Sequence, residues 1–449
     1  MSRISRIEAF QRTVTYKVGL LGLGTVGTGT AKILTAPEGR HPLMRELEIA
    51  KVGVRSLEKP RAIQFPPSVL TTDFDEIVTH PEIDIVAELI GGVEPARSWI
   101  LKAIAHGKHI VTANKAVMSR HGDEIFAAAN EKGVYVMLEA AVGGGIPVIS
   151  PLKQALGVNR IKRVTGIVNG TTNYILTRMK NEGADFEAVL ADAQKLGYAE
   201  ADPTADVEGL DAADKIAILA SIAFGGRIKL EEVFCEGIRH VTAADIAYAE
   251  KLDFVIKLLA IAQEDVTEDP STDTPQQLAL KVHPTLLPKS HPLASVDGVF
   301  NAILVEGEPL GQVMFFGPGA GEGATASAVV ADMMNIAAIL KTETEPIPHP
   351  LLSSTHQHYC AIAPIEESVS RFYVRVLSQD SPGVIGSLGT CFGDRGVSLE
   401  SVVQTGMRDN LAEIVLVTHH VREGNFRDAL DSISQLDDVK EIPGVIRVW

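Results

Sequence analysis

The stretch GLDAADKIAIL (209–219) sets Asp211 and Lys215 four residues apart, at the head of a run whose only polar residue from Ile216 to Phe224 is Ser221. On a helix, residues four apart share a face. A carboxylate and an ammonium so placed have two readings. One is an ordinary helix-stabilising pair worth about 0.3–0.5 kcal/mol. The other is a charge pair at the edge of a core, where desolvation favours the neutral amine and the carboxylate favours the ammonium. Spacing alone favours the first.

A second chemical signal lies near the start. Gly22-Leu23-Gly24-Thr25-Val26-Gly27 fits G-x-G-x-x-G, following a strand-like run and opening a helix-like one. In that setting the glycines allow a tight turn and close approach of a pyrophosphate, and the helix N-terminus offers unpaired N–H groups. The second strand should carry Asp or Glu at its tip in an NAD-type site. Here it ends KVGVR, with Arg55 at the tip and Lys59 and Arg61 nearby. An arginine there suits a 2′-phosphate, so NADP is favoured, with NAD possible. The plainer alternative is a solvated basic loop.

Elements must position these groups. Strand-like runs at 16–24, 47–55, 84–92, 109–115 and 134–142 alternate with helical runs at 25–36, 98–107 and 121–133. Such alternation predicts right-handed βαβ units and a doubly wound parallel sheet. From about 150 to 310, helical segments mix with strand-like IKRVTGIV and AILVEG, an α+β pattern. EDVTEDPSTDTP (264–275) reads as an exposed loop. A glycine-rich turn and long apolar helix at 317–340 suggest a return to the first domain. Residues 341–371 have linker composition. After them comes βαββαβ in 372–449.

Composition narrows the function classes. The 449 residues hold 41 basic and 57 acidic side chains, a net charge of −16. That argues against nucleic acid and anionic membrane as partners, which need clustered positive charge. Cys235, Cys360 and Cys391 are sparse and odd in number, which fits a reducing, cytoplasmic setting. No uninterrupted apolar run reaches the roughly 18 residues of a membrane span. Residues 1–16 read as a short leader without a secretory apolar core.

EAAVGGGIPV (139–148), NGTTNYIL (169–176), GYAEADPTADVEGLDAADK (197–215) and GPGAGEGATASAV (317–329) together resemble homoserine dehydrogenases over roughly 17–340. The last segment, 372–449, resembles an ACT domain, as in monofunctional bacterial members. The resemblance implies an N-terminal Rossmann-like domain over 17–149, completed by about 317–340. It also implies a substrate-binding and dimerisation domain over 150–316, then a ferredoxin-like ACT domain. The implied reaction interconverts L-homoserine and L-aspartate 4-semialdehyde on the route to threonine, methionine and isoleucine, in a homodimer or homotetramer.

Hydride reduction of an aldehyde leaves an alkoxide unless a proton arrives. By resemblance Lys215 transfers that proton and Asp211 supports it. Glu200 corresponds to a substrate-binding glutamate for the homoserine ammonium, with Asp206 a second candidate. Lys115, in TANK, would lie between cofactor and substrate. Thr25, Val26 and Gly321 correspond to residues beside the cofactor. Glu139, Val142, Gly144 and Ile146 match a segment that binds a monovalent cation, sodium by expectation, mainly through main-chain carbonyls; a structural turn is the plainer reading. In the ACT-like segment, Asp380 and Gly383 match the effector loop, with threonine the effector expected from pathway logic. Two other readings are weighed: an inactive amino-acid-sensing regulator of the same fold, and an aspartate semialdehyde dehydrogenase. None of the three cysteines sits in a nucleophile motif for the latter.

Overall fold

The computed structural model describes residues 15–264, 277–342, 349–353, 356 and 358–449. The expected leader up to residue 14 and the acidic stretch 265–275 lie outside the described residues, as do parts of the expected linker. Tyr16 is already the first, buried residue of a strand. The chain forms two compact units. One comprises Met1–Arg160, Ala217–Leu230 and Phe315–Tyr359; the other comprises Ile161–Ile216, Glu231–Met314 and Cys360–Trp449.

The first unit is built on a 6-stranded sheet of β1 (Tyr16–Leu21), β2 (Leu47–Gly53), β3 (Leu70–Thr71), β4 (Ile85–Glu88), β5 (His109–Thr112) and β6 (Val136–Met137). The order is β3-β2-β1-β4-β5-β6, and every pairing is parallel. This is the dinucleotide-binding order, with its topological switch between β1 and β4. In β4, Ile85, Val86 and Ala87 are all buried on successive positions, which shows that both faces are covered. On one face Val18, Leu20, Val52 and Val111 pack with Ala31 of α1 (Thr25–Leu34). Val329, Met333 and Ile336 of the helix Glu322–Thr342 complete that core. This helix is long and apolar enough to cross a membrane by composition, but its apolar residues are those of the core.

Two expected elements change. The strand expected over 134–142 keeps only Val136–Met137 and gives way to a 3₁₀ turn at Glu139–Ala141. The helix expected from 121 begins at Lys115, so Lys115 opens α2 (Lys115–Lys132) rather than closing a strand.

The second unit carries a 12-stranded sheet. Its main strands are β7 (Arg160–Ile167), β8 (Phe254–Glu264), β9 (Gln277–Pro288), β10 (Phe300–Glu308), β11 (Gly311–Pro318), β12 (Val369–Ser378), β13 (Leu399–Arg408), β14 (Leu411–Thr418) and β15 (Val439–Val448). They run in the order β11-β10-β7-β8-β9-β15-β12-β14-β13. The last four form the expected βαββαβ module with helices Val384–Asp394 and Glu423–Ser434. One sheet therefore runs from the α+β part into the C-terminal module, joined where Thr285 and Leu286 of β9 pair with Arg447 and Val448 of β15. β8 and β9, long and buried on nearly every residue, were not legible as strands in the sequence.

Candidate active site

The glycine turn follows β1 directly. Gly22 has φ +109°, and a Cβ there would come within 2.8 Å of the Leu89 carbonyl oxygen. A Cβ on Gly27 would lie 2.2 Å from Gly22 O, so this glycine lets α1 close onto the strand. Gly24 faces open space. These are the three glycine roles of a dinucleotide fingerprint: tight turn, close helix packing and room for the pyrophosphate. Thr25 and Val26 open α1, whose N-cap Gly24 has no side chain to cap the first N–H groups. Gly321, at φ +121° and also open, precedes the helix Glu322–Thr342. That helix packs closely on α1, where a Cβ on Gly29 would lie 2.5 Å from Glu322 O, and an exposed Lys32–Glu322 pair bridges the two.

Arg55 is exposed just beyond β2. Its loop is organised by Arg61, whose guanidinium donates to the carbonyls of Ser56, Leu57 (3.0 Å) and Lys59 (2.9 Å). Lys115 is the first residue of α2, behind Asn114, whose side chain caps Val117 N at 3.2 Å. It stands at the carboxyl edge of the sheet, where such folds bind ligands.

In the second unit Lys215 and Asp211 meet as the spacing suggested. The Lys215 ammonium donates to Asp211 Oδ2 at 2.7 Å and to the Val168 carbonyl at 2.6 Å. Both side chains are about nine-tenths buried, with 12% and 9% exposed. Among the described residues the third N–H of Lys215 has no partner. Val168 ends the backbone run that leaves β7, so a strand end and a helix start fix the ammonium together.

Asn169, which sequence reasoning did not single out as a site residue, completes this cluster. Its amide donates to Asp211 Oδ2 at 2.8 Å and to Asp206 Oδ1 at 2.7 Å. Its Oδ1 accepts from Thr172 N at 2.8 Å, capping α3 (Gly170–Glu182). The signal was present as an Asn before a helix in NGTTNYIL, but a cap is visible locally whereas its reach to Asp206 is not. Glu200 is exposed, in a loop where its backbone carbonyl accepts from Gln194 at 3.1 Å and the Tyr198 carbonyl accepts from Thr171 Oγ1 at 2.7 Å. Its carboxylate makes no hydrogen bond or ion pair among the described residues.

The Glu139 carboxylate is committed. It accepts from Val148 N (2.6 Å), Ile149 N (2.7 Å) and Ser150 N (2.7 Å), which takes up most of its acceptor capacity. The turn that follows is tight: a Cβ on Gly144 would lie 2.4 Å from Gly319 O, and Gly145 N donates to Pro318 O at 3.1 Å. In the C-terminal module, Asp380 and Gly383 line a cavity of about 140 Å³. Gly383, at φ +98°, is the N-cap of the helix Val384–Asp394. Gln404 reaches Asp380 at 3.5 Å across the cavity.

A dinucleotide fold in one unit, with a carboxylate-buttressed lysine and a βαββαβ module in the other, defines the class as a nicotinamide-dependent oxidoreductase with an appended small-molecule-binding module. Family comparisons agree in detail. Residues 22–139 match the homoserine dehydrogenase NAD-binding domain, 147–334 the homoserine dehydrogenase domain and 372–438 the ACT domain. The chain is 66% identical to a homoserine dehydrogenase of Synechocystis sp., covering 97% of this chain and 100% of that protein. It is 41% identical to one of Bacillus subtilis, covering 96% and 98%. A crystal structure of homoserine dehydrogenase from Thiobacillus denitrificans superposes with a TM-score of 0.87 at 42% identity, covering 97% and 98% of the two chains. A hyperthermophilic archaeal homoserine dehydrogenase in complex with NADPH gives 0.60 at 27% identity over 72% of this chain and 98% of that one. The chain belongs to the homoserine dehydrogenase family, with an NAD-binding Rossmann domain and a C-terminal ACT domain.

Proposed function

We propose that the enzyme interconverts L-homoserine and L-aspartate 4-semialdehyde with NADP(H), as a step toward threonine, methionine and isoleucine. The observation that carries this is the Lys215 ammonium. Two of its N–H groups are held by Val168 O and Asp211, and one remains to serve a substrate oxygen. When bound, the nicotinamide exchanges the hydride. Lys215 delivers the proton to the carbonyl oxygen during reduction and removes it from the hydroxyl during oxidation. Asp211, itself oriented by Asn169, keeps the ammonium in place and stabilises its charge. We assign the substrate ammonium to Glu200, whose carboxylate is exposed. Asp206 is tied to Asn169 and suits a supporting role better than direct substrate contact. Lys115 is assigned to the region between cofactor and substrate.

Arg55, with no acid at the tip of β2, favours a 2′-phosphate and hence NADP over NAD. The NADPH complex of the archaeal relative supports the same choice. A monovalent cation, sodium by preference, would be held by the main-chain carbonyls of Glu139, Val142, Gly144 and Ile146. The turn is closed through the carbonyls of Leu138, Gly143 and Pro318, which are not the carbonyls assigned to the cation. Such a cation would brace this turn and take no part in the chemistry.

We assign the Asp380–Gly383 cavity to an amino-acid effector, threonine on pathway logic, whose carboxylate would meet the helix N-terminus at Gly383. Ile385, Val403 and Met407 are exposed on this module, and Phe300 and Met314 on β10 and β11. These apolar surfaces favour a homodimer or homotetramer. The three free cysteines favour the cytoplasm. Steady-state turnover of homoserine with NADP and NAD, with and without threonine, tests the reading. Absence of homoserine-dependent cofactor reduction would overturn it.

A further inference from the structure

Glu88 ends β4 at the switch point and is fully buried. Burying a carboxylate is unfavourable unless its oxygens are satisfied. Burial holds the Glu88 carboxyl above the usual carboxylate range, against the opposing pull of its hydrogen-bond donors. All of those donors belong to two segments. Oε1 accepts from Ile90 N at 3.0 Å, Gly91 N at 3.3 Å and, at the limit, Asn114 Nδ2 at 3.5 Å. Oε2 accepts from Thr112 Oγ1 at 2.7 Å.

The second segment is then tied back to the first. Thr112 Oγ1 accepts from Asn114 N at 3.0 Å, and Asn114 Nδ2 donates to Gly92 O at 2.7 Å. Asn114 in turn caps α2, which Lys115 opens. The turn so gripped contains Gly91 and Gly92 in the left-handed region, at φ +73° and +75°. Its conformation is open to many alternatives in a free chain, so the grip decides it.

In this fold the β1–β3 half takes the adenosine side of a dinucleotide, as the roles of the glycine turn and the β2 tip require. The β4–β6 half faces the other mononucleotide. We propose that Glu88 is a positioning residue for hydride transfer. Its carboxylate fixes the Ile90–Gly92 turn against the start of the Lys115 helix, which sets the surface under the nicotinamide half of the cofactor. The inference rests on the family's dinucleotide-binding domain and not on the choice between NADP and NAD.

Two variants test it. Glu88→Gln keeps the size but presents an amide N–H to groups that are themselves donors. Asn114→Ser keeps a helix-capping oxygen and loses the tether to Gly92. Each should retain cofactor affinity within about threefold while kcat falls about tenfold or more, as small misplacement of reacting groups does. The primary deuterium isotope effect on kcat with 4-deuterated cofactor should rise, because hydride transfer becomes slower than product release. A purely structural role would lower the melting temperature and leave kcat per bound cofactor and the isotope effect unmoved. If either folded variant keeps both within twofold of the parent, the proposal is overturned. Should Glu88→Gln not fold, Asn114→Ser decides alone. Failure of the parent enzyme to turn over homoserine would count against the substrate reading instead.

Discussion

Asn169 and Lys215 donate to the same oxygen of Asp211, at 2.8 and 2.7 Å. One carboxylate oxygen thus locates the ammonium and is itself located by a helix cap. The pair at Asp211 and Lys215 is therefore not a free surface pair of small worth. Its geometry is set from outside the helix, by Asn169 and by the Val168 carbonyl.

Replacing Lys215 by Ala should lower kcat by about 10²–10⁴-fold, the range for loss of a positioned proton donor. Cofactor affinity, measured by quenching of protein fluorescence, should stay within about twofold. A Lys215→Ala enzyme with near-parental kcat would remove the residue from proton transfer.

Asn169→Ser separates two roles of one side chain. Serine retains a cap for Thr172 N, so the loss of stability should be a few tenths of a kcal/mol to about 1 kcal/mol. The two amide donors vanish, leaving Asp206 and Asp211 without the group between them. We expect kcat to fall at least tenfold, from a looser Lys215, with a melting temperature close to the parent's. Equal loss in both measurements would show that the cap was all that mattered.

The glycine turn, the first βαβ units, the ACT-type module and the Asp211–Lys215 pair were legible because each is local. A turn, an apolar run or a four-residue spacing carries its own physics. What was not legible depended on distance. Asn169 meets Asp206 and Asp211 across 37 and 42 residues, which no periodicity encodes. β8 and β9 were missed because strands buried on both faces lose the alternation that marks a half-exposed strand. The strand expected through residue 142 stops early for a similar reason. The Glu139 carboxylate turns back to cap three later N–H groups, and that side-chain commitment is invisible in an apolar run.

Arg375 is completely buried between Asp245 (2.8 Å) and Glu413 (3.1 Å), within the unit that holds both the ACT-type sheet and the helix Ala243–Lys251. Removing the guanidinium strands two buried carboxylates. Arg375→Met should therefore destabilise this unit by about 3–5 kcal/mol, read from denaturant unfolding. Adding Asp245→Asn should recover part of that loss, since one of the two uncompensated charges goes with it. Simple additivity of the two single losses would contradict the coupling.

His109 is buried beside Tyr135, its Nδ1 accepting from Tyr135 N at 3.1 Å. Burial pushes its imidazole down to about 4 from an ordinary 6.5. Below pH about 6.5 the unfolded state takes up a proton that the folded state refuses, so stability falls as pH drops toward 4 and is unaffected above about 7. The full contribution is about 3 kcal/mol. His109→Asn keeps an acceptor for Tyr135 N and cannot titrate. Its melting temperature should fall less than the parent's between pH 7 and pH 5, and parallel curves would refute the assignment.

Arg55 gives the sharpest test of cofactor choice. It is exposed beyond β2, in a loop whose shape is kept by Arg61 bonding to Ser56, Leu57 and Lys59. Truncating Arg55 should therefore leave the loop in place and remove one charge-assisted contact to a 2′-phosphate, worth about 1.5–3 kcal/mol. The KM for NADP should rise about tenfold or more in Arg55→Ala while the KM for NAD changes less than twofold. The effect should shrink at high salt, because the contact is solvent-exposed and screened. Arg55→Asp should go further and favour NAD, since a carboxylate repels the phosphate and can accept from ribose hydroxyls. An equal change in both KM values would mean that Arg55 shapes the loop without reading the phosphate.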